Sequence, residues 1–182
     1  MQLHDQRLKF ARDLVSHWSD IRGGRVLVPS ERDLDFRELQ RIIPTLSIMD
    51  SPGPDSSNVA VMGPDRMEPD LWRPVRTTNW FDLIPPALRE LAILARQKLI
   101  ETPCGVYYHY VASGADDFFQ EAETLVLPIR AENTRVPSTI SVTNIIRKRG
   151  QPRSSHPAKV EQLELDYVDI GAGIPANRLS GH

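Results

Sequence analysis

The stretch "GVYYHYVASGADDFFQEAETLVLPIRAENTRVPSTISVTNIIRK" (residues 105–148) decides the fold. It holds three runs rich in β-branched and aromatic residues, 105–113, 118–130 and 138–148, divided by "GADD" and "AENTRVP". Such runs read as strands and the polar, glycine- and proline-bearing links as turns. Links this short cannot carry parallel crossovers, so the three strands are antiparallel neighbours. Alternation along the first strand places Tyr108 and Tyr110 on the face opposite Tyr107, His109 and Val111. The even-numbered set is the less polar one, and it is expected inside.

Outward from these strands, Leu88, Leu91, Ala92, Ala95 and Leu99 recur at helical spacing after Pro85 and Pro86, and Pro103 ends the run. Further back, "TLSIMD" (45–50) and "NVAVMG" (58–63) flank the loop "SPGPDSS" and predict a hairpin. Residues 64–82, with Trp72 and Trp80, show no sustained period and are expected to be irregular. The element order predicts an α+β domain: a five-stranded antiparallel sheet covered on one face by helices, with an N-terminal helical extension. We divide it into the extension (1–44), the core (45–148) and a C-terminal connector and extended tail (149–182).

In the extension, Leu8, Ala11, Leu14, Val15 and Trp18 form one apolar stripe on a helix ending near Arg22. "RGGR" follows that helix, so Gly23 reads as a left-handed C-cap rather than as part of a phosphate cradle, which needs a helix starting after the loop. "PSERDLD" leads into a second expected helix. Asp35 and Glu38 are spaced as a capping box, Leu34 and Leu39 as a hydrophobic staple, and Phe36, Leu39 and Ile43 as one face before Pro44.

The chain has 182 residues, 40% hydrophobic and 25% charged, and a formal charge of −2, so no overall field draws it to nucleic acid or anionic lipid. Its one cysteine, Cys104, excludes an internal disulfide and a cysteine-cluster metal site. No run approaches the roughly 18 apolar residues of a membrane span. We read the chain as soluble and cytoplasmic, with no nucleic-acid or membrane partner.

Individual motifs carry little chemistry. Cys104 in "TPCGV" has no neighbour in sequence that would lower its pKa and reads as an inert thiol. His109 is the one histidine in an expected strand, and a haem-ligand role for it is disfavoured by its face. Glu121 and Glu123 read as a solvated strand face, and Arg147, Lys148, Arg149 and Arg153 as a solvated connector. "DIGAG" (169–173) lacks the third glycine and following helix of a dinucleotide fingerprint and reads as a terminal turn.

Trp18, Arg22, Gly23, Gly24, Pro29, Ser30, Arg32, Asp33, Asp35 and Pro44, with "DIGAGIP" (169–175), together resemble the bacterial stand-alone PAS-like domains. The resemblance covers most of the chain, its motifs lying at the two ends. It implies a five-stranded antiparallel sheet with helices on one face and a non-catalytic sensory or regulatory role in signal transduction. Action would be through a small ligand held between sheet and helices, through a protein partner, or through a homodimer. Trp80, Phe81, Leu91, Tyr108, Tyr110 and Val142 are the candidate pocket lining, and Leu8, Leu14 and Trp18 the candidate interaction surface. A phosphate- or nucleotide-binding regulator using Arg22, Arg25 and Arg32 is the alternative, and an uncharacterised enzyme a further one. No metal site and no catalytic set is expected, and no cofactor is required.

Overall fold

Short links and alternating runs produce the expected ladder, and the chain then adds a strand to it. The computed structural model describes residues 6–24, 27–53, 55–66, 79–84, 86–114, 117–131, 137–150 and 159–176. The strands are β1 (Leu46–Gly53), β2 (Ser56–Met62), β3 (Gly105–Ser113), β4 (Phe119–Ile129), β5 (Ser138–Arg149) and β6 (Lys159–Val168). They form one sheet in the order β2-β1-β5-β4-β3-β6, and every neighbouring pair is antiparallel. The sheet therefore has six strands rather than five. Within the tail expected only to be extended, Lys159–Val168 pairs along the free edge of β3 from Ser113↔Lys159 to Gly105↔Val168, its Leu163, Leu165 and Tyr167 alternating with polar residues.

The helices are α1 (Arg12–Arg22), entered through a 3-10 segment over Gln6–Ala11, and α2 (Pro86–Glu101). They lie on opposite faces of the sheet, where one covered face was expected. Leu8, Ala11, Leu14, Val15 and Trp18 pack with Leu46 and Ile48 of β1, Leu125, Leu127 and Ile129 of β4, and Ile140 and Val142 of β5. On the other face, Leu99 of α2 packs with Cys104, Val106, Tyr108, Val126 and Tyr167. The N-terminal segment is thus part of the main core. Its stripe is buried because the central strands offer it an apolar face.

Gly23 caps α1 as the sequence predicts: φ is 58° and its N–H reaches Asp20 O at 3.1 Å and Ser19 O at 3.3 Å. The expected second helix does not form. Residues 36–42 are turns, with a 3-10 turn at Ile43–Thr45. The capping-box residues bond elsewhere. Asp35 accepts from the backbone and side chain of Arg37, and Glu38 Oε2 lies 2.7 Å from His17 Nδ1. His17 Nε2 accepts from Asp35 N–H at 3.1 Å, which leaves Nδ1 as the donor to Glu38. Leu34 and Leu39 are both buried, while Phe36 and Ile43 are exposed, so the predicted common face is lost.

The "PSERD" stretch has another task. Beyond the start of β3, the edge of β4 is open, and Pro29–Glu31 fills it: Arg130 N donates to Pro29 O at 2.8 Å and Glu31 N to Arg130 O at 3.0 Å. Pro128 sits at that opened edge, where its missing N–H removes no ladder bond. A second tight approach lies at Gly63, where any Cβ would overlap the carbonyl oxygens of Ile43 and Pro44.

Candidate functional site

A sheet face roofed by a helix is normally apolar, because burying a hydroxyl without a partner costs free energy. The face under α2 departs from that rule. Ser47 and Ser51 of β1, Thr124 of β4, and Thr139, Ser141 and Thr143 of β5 are all buried. Their common side follows from the register, in which Ser47 opposes Ser141 and Thr124 opposes Thr143. Thr124 Oγ1 and Thr143 Oγ1 satisfy each other at 2.7 Å. Ser47 Oγ and Tyr167 Oη are buried with no hydrogen-bond partner among the described residues. Desolvation pushes the Tyr167 phenol up to about 12 and raises Tyr108 still further.

Arg96 enters this polar interior from α2. It is 6% exposed. Its Nη2 donates to Ser51 Oγ and, at 2.5 Å, to the carbonyl oxygen of Pro137, while Nε is buried with no partner among the described residues. Next to these groups lies an apolar patch of Met49 and Val59 with Met62 and Trp80 packed against it. Phe81 is buried in the same short 3-10 segment as Trp80, whose Asn79 caps it by accepting from Phe81 N–H at 3.2 Å. Asn79 also binds β2, accepting from Ser57 N–H at 3.0 Å.

Of the expected pocket residues, Trp80, Tyr108 and Tyr110 belong to the α2 side, and Phe81 is buried in the 3-10 segment beside Trp80. Tyr110 is half-buried and its oxygen accepts from Gln120 Nε2 at 3.0 Å. Leu91 is half-buried on α2. Val142 is misplaced by the sequence reading: Tyr108 opposes Thr124 and Thr124 opposes Thr143, so Thr143 shares the Tyr108 face and Val142 points to α1. Arg96 was missed. It stands four residues after Ala92 and three before Leu99, both buried, so its position on the buried stripe was readable. The hydroxyl residues were missed because serine and threonine in a strand give no sign of which face is roofed.

The odd-numbered set divides. Tyr107 is buried against the α1 core, so both sets face inward at this end of β3. Further along, the same face becomes polar. His109 Nε2 lies 3.1 Å from Glu121 Oε1, and Arg147 Nε donates to Glu121 Oε2 at 2.6 Å. Glu123 accepts from Tyr107 Oη at 3.1 Å and from Asn144 Nδ2 at 2.8 Å. Hydrogen bonds from Arg147 and then His109 hold the Glu121 carboxyl below its ordinary range. No group of three or more metal-ligating side chains occurs among the described residues.

Leu8, Leu14 and Trp18 are 3%, 0% and 1% exposed, which removes them from any interaction surface. A stripe that must leave water can do so on its own sheet as readily as on a partner. Arg22 is committed as well: its Nη1 donates to the Ile170 carbonyl oxygen, and its guanidinium lies 5.6 Å from the Trp18 ring centre. Arg25 lies outside the described residues, and Arg32 is exposed. "DIGAG" is a turn in which Asp169 Oδ1 accepts from the backbone N–H of Gly171 at 2.7 Å and of Gly173 at 3.0 Å. Cys104 is fully buried, and desolvation pushes its thiol up to about 12.

No family model, curated protein or solved structure matches the chain. No helix among the described residues is long and apolar enough to cross a membrane.

Proposed function

We propose that this chain is a PAS-like sensory or regulatory domain without catalytic activity, working by binding a small ligand between α2 and the sheet. The observation that carries the reading is the buried polar interior under α2, where Arg96 and six serine and threonine side chains lie out of water and two hydroxyl oxygens have no protein partner among the described residues. Buried polar groups in a folded domain are hydrogen-bonded, and a ligand is one way to complete them. The antiparallel sheet with a helical stretch inserted between β2 and β3 agrees with the resemblance in the N-terminal motifs.

A route for the signal follows from alternation. Thr124 and Thr143 face α2, while the adjacent Leu125 and Val142 face α1. A ligand that shifts β4 or β5 changes the packing under α1, and the output is a change in the surface α1 helps to form.

The test compares the purified protein by native and denaturing mass spectrometry and by visible absorption. A small molecule released on denaturation supports the reading. A bare chain that binds nothing in a broad metabolite screen, in thermal-shift and native measurements alike, overturns it.

A further inference from the structure

Arginine is almost never fully buried unless it is paired, and an uncompensated buried charge is costly. Arg96 breaks that rule among the described residues. The two groups it meets, the Ser51 hydroxyl and the Pro137 carbonyl, are both neutral, and its Nε–H meets neither. Burial draws its pKa down to about 10, with the nearby Tyr108 phenol opposing. A guanidinium held in this way is arranged to receive one anionic group, and its planar fork matches a carboxylate.

The surroundings limit what that group is attached to. Ser51, which orients Arg96, is two residues from Met49 on the same face of β1, and Met49 packs with Val59, Met62 and Trp80. The polar end of the interior thus adjoins an apolar end. One buried cation balances one negative charge, and hydroxyls supply only neutral donors, which fits a carboxylate better than a multiply charged phosphate. We infer that the ligand is a small carboxylic acid with an apolar tail, its carboxylate on Arg96 and its tail toward Met49, Val59 and Trp80. This rests on the reading of the α2 side as the ligand site.

The experiment uses hexanoate, its neutral isostere hexanamide, and inorganic phosphate as probes of the full chain. Hexanoate at about 100 times its Kd should raise the Tm by about 5–10 °C, while hexanamide and phosphate leave it unchanged. Acetate should act more weakly than hexanoate, since it lacks the tail. Arg96→Met, which replaces the cation by a side chain of similar length, should abolish the hexanoate shift and leave the unliganded fold intact by circular dichroism. Should that variant not fold, the contrast between acid and amide in the unaltered chain decides alone. Equal shifts by acid and amide, a hexanoate shift that survives Arg96→Met, or no response to either carboxylate overturns the inference. If a neutral molecule is retained on the purified protein while carboxylates do nothing, the carboxylate is wrong and the sensory reading stands. A bare chain that answers to no probe and to no metabolite sinks both.

Discussion

Trp18 donates its indole N–H to the carbonyl oxygen of Pro128 at 2.8 Å, across 110 residues of sequence. The bond joins α1 to the one point on β4 where the edge is open and the residue has no N–H to offer. Trp18→Phe keeps an aromatic ring, though a smaller one, and leaves the Pro128 carbonyl without its partner, so it should cost about 1–3 kcal/mol. Trp18→Ala also opens a cavity and should cost about 3–5 kcal/mol. Urea denaturation monitored by circular dichroism measures both, and a Trp18→Phe variant as stable as the unaltered chain would show that the indole N–H contributes nothing.

The hydroxyl pair Thr124 and Thr143 allows a test of coupling under α2. Either Thr→Val change alone strands a buried hydroxyl and should cost about 1–3 kcal/mol, whereas the double change removes both groups and should be nearly neutral. Additive losses would place a water or another partner between them.

Acid stability should depend on Glu121. Its folded pKa is depressed, so its contribution is complete above the unfolded value near 4.5 and is lost as pH falls through the lower folded value. The stability advantage of the unaltered chain over Glu121→Gln should therefore be present at neutral pH and shrink below about pH 4.5. Denaturant midpoints measured from pH 7 downward provide the comparison, and an advantage independent of pH would contradict it.

Cys104 should resist alkylation in the folded chain at neutral pH and react promptly in denaturant, because it is fully buried and its thiol is held protonated. Pulse labelling with iodoacetamide, read by mass spectrometry, reports the fraction modified. Rapid labelling without denaturant would mean that the β3 end of the sheet opens.

Gly63→Ala should destabilise the chain at or beyond the upper end of the ~1–3 kcal/mol range for overpacking, since the atoms it would strike are backbone and cannot rotate away. Thermal unfolding of this variant, beside the milder Gly24→Ala, checks the point.

The strands of residues 105–148 were legible because they carry β-branched and aromatic residues between short polar links, and β3 begins and ends where the pattern does. The helix α2 was legible from its apolar spacing and flanking prolines. Three things were not. "VEQLELDYV" alternates as a strand should, but nothing local says that the edge of β3 is free to take it. The Asp35 and Glu38 pattern failed as a cap because Arg37 and His17 offered those carboxylates better partners, one of them from another helix. The stripe on α1 was visible, yet spacing cannot tell a helix that covers its own sheet from one that covers a partner. In the candidate site, Tyr108 and Trp80 were legible as aromatics, while Arg96 needed the further step of asking which helix residues sit beside Ala92 and Leu99.

The contact between Arg22 and the Ile170 carbonyl spans 148 residues. On the ribosome, where chains grow at about 5–20 residues per second, the partner of Arg22 follows it by roughly 7–30 s. For most of that interval, until β4 and β5 have been made, the apolar stripe of α1 lacks the central strands it covers. Native closure is therefore a late, non-local event, of the kind that folds slowly. Until it occurs, the newborn helix presents Leu14 and Trp18 to any chaperone that binds exposed apolar side chains.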